Sequence, residues 1–129
     1  MLVDDMVINR LILEDLILQA FNNSSKIPIT HAANGEEALA ILKDNYDYDL
    51  IFMDCQMPIM DGYYVCSKIK ANDKTKKIPI IFLSGKDSTQ DIEQAYECGG
   101  IDYVVKPFVT IELITKANSY VRLKQLEDK

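Results

Sequence analysis

The run Leu50-Ile51-Phe52-Met53-Asp54 decides how this chain folds. Leu50–Met53 is apolar at every position and is bounded by acids, Asp49 before it and Asp54 after it. A strand with one wet face alternates apolar and polar residues. A short strand that is apolar throughout is covered on both faces, as in a parallel sheet held between two layers of helices. Ile78–Leu83 is a second run of this kind. Working outward, Met1–Val3, Ile27–Ala33 and Tyr103–Val105 read as three more strands. Helical apolar spacing fills the gaps, over Met6–Phe21, Glu36–Leu42, Asp61–Ala71 and Thr89–Cys98. Asn34-Gly35 opens the second helix and Gly99-Gly100 stops the fourth. Thr110 offers an N-cap for a last helix that runs to Gln125. Five β–α units imply an α/β doubly wound sandwich around a parallel sheet.

Size and composition agree with one such domain over residues 1–129. Residues 124–129 read as a charged tail or a cut linker. Apolar residues make up 48% and charged residues 26%, which is ordinary for a soluble domain. The net charge of −6 argues against nonspecific nucleic-acid binding. No run is long and apolar enough to span a bilayer, and no signal segment opens the chain. A cytoplasmic location without membrane contact is the expectation. Cys55, Cys66 and Cys98 lack metal-ligand spacing and read as reduced thiols, and the single histidine, His31, cannot complete a zinc site with them.

In doubly wound sheets, ligands bind at the carboxyl ends of the strands. Asp4 and Asp5 follow the first strand, Asp54 the third, Ser84 the fourth and Lys106 the fifth. The second strand offers only Ala32, Ala33 and Asn34. Taken singly, these residues read as solvated loop acids, a helix cap, a turn serine and a loop lysine. Together at one sheet edge they point to phosphoryl transfer. Three converging carboxylates call for a hard divalent cation, and magnesium suits carboxylates, water and phosphate oxygens. Asp54 is then a carboxylate nucleophile able to form an acyl phosphate. Lys106 and Ser84 supply a charge and a hydroxyl for the phosphoryl oxygens.

The segment Phe52-Met53-Asp54-Cys55-Gln56-Met57-Pro58-Ile59-Met60-Asp61-Gly62 resembles the phosphorylation loop of response-regulator receiver domains. Val3-Asp4-Asp5 resembles the family's acidic pair. Leu83-Ser84-Gly85 and Val105-Lys106-Pro107-Phe108 resemble its switch hydroxyl and its lysine motif. The resemblance covers essentially the whole chain, in the family's order and spacing. It implies a flavodoxin-like (βα)5 fold with strand order 2-1-3-4-5. It implies Asp54 as phosphoacceptor, with Asp5, Asp54 and the backbone carbonyl of Gln56 as Mg2+ ligands and Asp4 acting through water; Mn2+ could replace Mg2+. Lys106 and Ser84 would hold phosphoryl oxygens, and Ser84 with Tyr103 would form the switch. Gln56 and Lys86 would tune dephosphorylation. The Lys106–Pro107 bond would be cis. The implied function is a switch domain, not an enzyme, that takes a phosphoryl group from a phosphohistidine on a histidine kinase or a histidine phosphotransfer domain. The output would pass through the α4-β5-α5 surface to an effector or a second copy. The Asp-Cys-Gln-Met-Pro wording, with Asn9-Arg10 after the acidic pair, looks most like receivers of hybrid sensor kinases; a stand-alone regulator is the alternative. The short first strand departs from the family and reads as trimmed or frayed.

Three rivals fit less well. An aspartate-nucleophile phosphatase needs a second Asp two residues after the nucleophile, where Gln56 stands. A flavodoxin-like cofactor carrier needs a phosphate-cradling loop after strand one, where Asp4-Asp5-Met6 stands. A scaffold receiver that is never phosphorylated would have lost an acid, the hydroxyl or the lysine, and none is lost.

The first helix carries one more signal. At about 100° per residue, Ile8, Ile12, Leu13, Leu16, Ile17 and Ala20 cover a broad core-facing side. Val7, Leu11 and Leu18 are left as a second apolar stripe, with Glu14 among them. Scattered surface aliphatics are the ordinary explanation. In receivers the first helix lies beside the phosphorylation pocket, so the resemblance makes this stripe a docking face for a helical, histidine-bearing partner.

Overall fold

The computed structural model describes residues 1–21, 28–85, 89–106 and 109–127. Five strands alternate with five helices: β1 (Leu2–Val3), α1 (Val7–Ala20), β2 (His31–Ala32), α2 (Gly35–Asp44), β3 (Ile51–Asp54), α3 (Gly62–Ala71), β4 (Ile80–Ser84), α4 (Thr89–Glu97), β5 (Asp102–Val105) and α5 (Thr110–Glu127). The strands form one sheet in the order β2-β1-β3-β4-β5, parallel throughout, as expected.

The all-apolar strands serve two cores. Their alternate residues point to opposite faces, as the pleat requires. Val3, Ile51, Met53, Ile80, Phe82 and Tyr103 face one core with Ala38, Val65, Ile69 and Ala95 of α2, α3 and α4. Leu2, Phe52, Ile81, Leu83 and Val104 face the other, with Leu13 and Ile17 of α1 and Leu113 and Ala117 of α5. A one-residue register slip would exchange the two sets, so both cores together fix the register.

Several boundaries differ from the sequence expectation. The second strand, expected over Ile27–Ala33, is paired only at His31–Ala32, opposite Leu2–Val3. It is an edge strand, its only neighbour is two residues long, and Pro28 has no N–H to offer a ladder; Ile27 lies outside the described residues. The second helix begins at Gly35, because the Asn34 side chain caps it by accepting from the Glu37 N–H at 2.8 Å. Thr110 is the first helical residue, not the cap: the Val109 carbonyl accepts the first bond, from the Leu113 N–H at 3.1 Å. On α1, Leu13 and Ile17 are buried as expected, whereas Ile8 and Ile12 are exposed. Helix α1 meets the sheet along a narrower stripe than its sequence suggests, with α5 covering its flank.

One polar cluster ties β5 to α5. The Asp102 carboxylate accepts from the Tyr120 hydroxyl at 2.7 Å, the Lys116 ammonium at 3.1 Å and the Tyr103 N–H at 2.7 Å. Burial works against the charge, but these donors outweigh it and hold the carboxyl below its ordinary value. A depressed carboxyl stabilises the fold above the unfolded value and loses that contribution as pH falls through the folded one. Asp102→Asn should therefore cost about 1–2 kcal/mol near neutrality in urea unfolding, because charge-assisted hydrogen bonds are replaced by neutral ones. The gap between the two proteins should close as the solution is acidified past the folded value.

Candidate functional site

The carboxyl ends of β1, β3, β4 and β5 converge as the sequence placed them. Asp4 and Asp5 follow β1, Asp54 ends β3, Ser84 ends β4 and Lys106 follows β5. One carboxylate oxygen from each of Asp4, Asp5 and Asp54 lies within 4.8 Å of the other two. Asp4 and Asp54 are buried and Asp5 is exposed. The Lys106 ammonium sits 3.5 Å from Asp4 Oδ2 and 3.5 Å from Asp54 Oδ1.

Asp4 is the most fully engaged of the three. Its Oδ1 accepts from the Met6 N–H at 2.9 Å, and its Oδ2 from the Asn9 amide at 3.3 Å as well as from Lys106. Arg10 adds a bond from Nη1 to the Asp4 carbonyl at 2.6 Å, while its Nε is buried without a hydrogen-bond partner. Among the described residues, Asp54 accepts one backbone bond, from the Gln56 N–H at 3.3 Å. Burial raises its proton affinity above the ordinary value; Lys106 opposes this, and Asp4 and Asp5 reinforce it.

The loop after Asp54 is built for close approach. Asp61 caps α3 by accepting from the Tyr64 N–H at 2.9 Å, and the Gly62 N–H reaches back to the Cys55 carbonyl at 3.0 Å. A Cβ at position 62 would fall 2.2 Å from the Asp54 carbonyl oxygen, so only glycine fits there. Between them, the Met60 N–H bonds the Pro58 carbonyl at 2.7 Å across Ile59, whose φ is +70°. This is a γ-turn centred on a fully exposed β-branched residue, a strained conformation beside the site.

The remaining expected residues divide. Ser84 is buried and its hydroxyl hydrogen-bonds the Cys55 thiol, whose proton affinity burial pushes up to about 11. Lys106 is positioned through its own N–H, which bonds the Ser84 carbonyl at 2.7 Å. Tyr103 is already packed inward in the core, where an inward rotation on activation was the expectation. Gln56 is exposed at the pocket rim. Lys86 and the Lys106–Pro107 bond expected to be cis fall outside the described residues, the latter at Pro107. Val7 and Leu11 of the proposed docking stripe are exposed, whereas Leu18 is partly buried. Sequence reasoning did not assign Asn9 and Arg10 to the pocket. Their positions in the first turns of α1, directly after the acidic pair, are the signal that could have found them.

A family model described as the response regulator receiver domain matches residues 1–118. The chain belongs to that family. It is 39% identical over 129 residues to the probable transcriptional regulator ycf29 of Pyropia yezoensis, covering 99% of this chain and 55% of the relative. The chain thus spans about half the length of the first curated relatives it matches. Among solved structures, a two-component response regulator from Clostridium difficile superposes with a TM-score of 0.81 at 29% identity, covering 94% of this chain and 93% of that one. The receiver domain of the sensor histidine kinase PA1611 from Pseudomonas aeruginosa, solved with a magnesium ion coordinated in its active-site cleft, superposes at 0.79 with 29% identity and covers 93% of each chain. This receiver is a phosphoryl-accepting signalling switch domain of two-component systems. Receivers act with histidine kinases or phosphotransfer proteins. No helix among the described residues is long and apolar enough to cross a membrane.

The crowded charges have a measurable cost. A carboxyl whose folded proton affinity is raised destabilises the fold once it ionises, and this cost vanishes below the unfolded value. In metal-free buffer at neutral pH, Asp54→Asn should raise the melting temperature of this receiver. The difference should shrink as pH falls through the raised Asp54 value and disappear below the ordinary value of 3.8. Thermal melts across pH in the presence of a chelator would check it.

Proposed function

We propose that Asp54 is the phosphoacceptor and that its pocket works with Mg2+. The carrying observation is the cluster of Asp4, Asp5 and Asp54 with oxygens within 4.8 Å of one another and one ammonium shared by Asp4 and Asp54. Ligand oxygens of an octahedral magnesium ion are about 3–4 Å apart, from bond lengths near 2.1 Å. A separation within 4.8 Å lets the three carboxylates share one such ion, directly or through water. Asp4 has both oxygens occupied by protein donors, so it is the water-mediated member. Asp5 and Asp54, with the Gln56 carbonyl, are the direct ligands. Bound there, the cation neutralises charge on the phosphoryl oxygens. Mn2+ suits the same oxygen set.

In the transfer, an Asp54 carboxylate oxygen attacks the phosphorus of a phosphohistidine, the P–O bond forms, the P–N bond breaks with its electron pair going to the ring nitrogen, and the imidazole leaves neutral, keeping the proton on its other ring nitrogen. Lys106 pairs with one phosphoryl oxygen, exchanging its contact with Asp54 for it. Ser84 turns its hydroxyl from Cys55 to another. Because Tyr103 starts inward, the switch at the α4–β5–α5 surface turns on Ser84 and on repacking around a tyrosine already in place. Gln56 and Lys86 set how readily water reaches the acyl phosphate, which the domain hydrolyses itself. The output partner is an effector or a second copy at that surface. The Asn9-Arg10 pairing with Asp4 supports a receiver of the hybrid-kinase kind, located in the cytoplasm.

Labelling with acetyl phosphate and Mg2+ tests the centre of this reading. Wild type should take up one acid-labile phosphoryl group, and Asp54→Asn none. Uptake by Asp54→Asn at the wild-type rate would overturn it.

The donor docks on the first helix. Val7, Ile8, Leu11 and Ile12 are all about half exposed or more at its amino-terminal end, directly above Asp4 and Asp5. The face is broader than the expected stripe and is shifted away from Leu18. Leu11→Ser and Ile8→Ser should slow phosphotransfer from the cognate histidine domain while sparing labelling by acetyl phosphate. Equal slowing of both reactions, or of neither, would exclude the docking role.

A further inference from the structure

Cys66 and Cys98 lie at the edge of the sheet opposite the carboxylates. Cys98 precedes β5, and just after it the Ile101 N–H bonds the Ile80 carbonyl at 2.8 Å, where β4 begins. Cys66 is fully buried on α3; Cys98 follows α4 and is partly exposed. Both thiols are free. The Cys66 thiol donates to the Cys98 carbonyl at 3.3 Å, which sets its sulfur against residue 98, and the Cys98 thiol donates to the Ala95 carbonyl at 3.1 Å.

The backbone around Cys98 is held against α3. The Gly99 and Gly100 N–H groups close α4 by bonding the Tyr96 and Ala95 carbonyls at 3.1 and 3.0 Å. Gly99 has a φ of +107°, and a Cβ there would meet Lys70 Cγ of α3 at 2.6 Å. The turn therefore seats directly on the last turn of α3, which holds residue 98 against Cys66.

The two thiols differ in reactivity. Hydrogen bonding from Cys66 holds the Cys98 thiol below its ordinary value; burial opposes this and the Gly100 N–H adds to it. The same pairing, with burial, pushes Cys66 upward. Cys98 is thus the partly exposed thiol that ionises first, and Cys66 is the buried, protonated thiol beside residue 98. An attacking and a resolving thiol differ in this way.

We propose that Cys66 and Cys98 form an oxidation site that a peroxide converts to a disulfide, fastening the end of α4 to α3. The Cys98 thiolate attacks a peroxide oxygen: the S–O bond forms, the O–O bond breaks and the departing hydroxide takes a proton to become water. Cys98 is now a sulfenic acid. Cys66 then attacks the Cys98 sulfur: the S–S bond forms, the S–O bond breaks and the hydroxide leaves as water with the Cys66 proton. Two thiols are oxidised and one peroxide is reduced to two waters. The bond would restrain α4, one wall of the α4–β5–α5 surface, from the end remote from Asp54.

The test is peroxide treatment of the purified chain, then alkylation, digestion and mass spectrometry. Monomeric protein lighter by two hydrogens should yield one linked peptide pair joining Cys66 to Cys98, reversed by dithiothreitol, with Cys55 alkylated. Cys55→Ala should give the same link. Cys98→Ser should abolish the link and leave Cys66 reduced. Cys66→Ser should leave a Cys98 sulfenic acid that dimedone traps; if that variant fails to fold, wild type and Cys98→Ser decide alone. Full alkylation of both thiols after peroxide, a sulfinic acid on Cys98 without a link, or a disulfide through Cys55 or between chains would overturn the proposal.

Discussion

Lys106 stands 3.5 Å from both Asp4 and Asp54, and the architecture around the pocket serves to keep it there. Three carboxylates against the Lys106 ammonium and the Arg10 guanidinium still leave negative charge in excess in a partly dry site. Such a cluster is tolerated only where the backbone holds it rigidly and an added cation can be accepted. Four strand ends meet this need because parallel strands place all their carboxyl ends on one edge. The double-sided core then prevents any strand from slipping, since a shift of one residue would turn Phe52 and Met53 to the wrong layers. The site is unstable by itself and is carried by a sheet that has few alternatives.

The fold was legible because its signals are local and redundant. Apolar strands, helical periodicity and the Asn34 and Gly99-Gly100 boundaries all pointed the same way. The site was legible because chemistry-bearing residues fell at strand ends in sequence order. What the sequence concealed is set by neighbours. The shortness of β2 depends on the two residues of β1 beside it. The exposure of Ile8 and Ile12 depends on how α5 lies against α1, and apolar spacing alone does not report that. The inward Tyr103 depends on the space left beside Phe82 and Tyr63. The engagement of Asn9 and Arg10 with Asp4 depends on the angle at which α1 leaves β1.

Helix α1 thus has two duties. Its buried side, at Leu13 and Ile17, belongs to a core shared with α5. Its first turns belong to the pocket, through Asn9 and Arg10, and also present exposed aliphatic side chains beside it. A helix so occupied has little freedom to move. The fourth helix is held differently: it sets Ala95 and Ile92 on the core, is reached by the Tyr63 hydroxyl at the Asp91 carbonyl, and closes on the turn at Gly99. The two surfaces that a signalling domain presents, one facing its donor and one facing its output, therefore sit on elements held by different sets of contacts.

Gly62 shows what this arrangement demands of the sequence. Its missing side chain lets α3 begin in contact with the Asp54 carbonyl. Gly35 on α2, beside α3 in the same helical layer, makes a similar demand, because an added methyl group would strike Val65 and Met60. The two positions lie on either side of α3: a side chain at 62 would press on the Asp54 carbonyl and one at 35 on the Val65 side chain of α3. Mutational tolerance along this line is set by clearance, and a survey of neutral substitutions should find a gap running from the site to the start of α2.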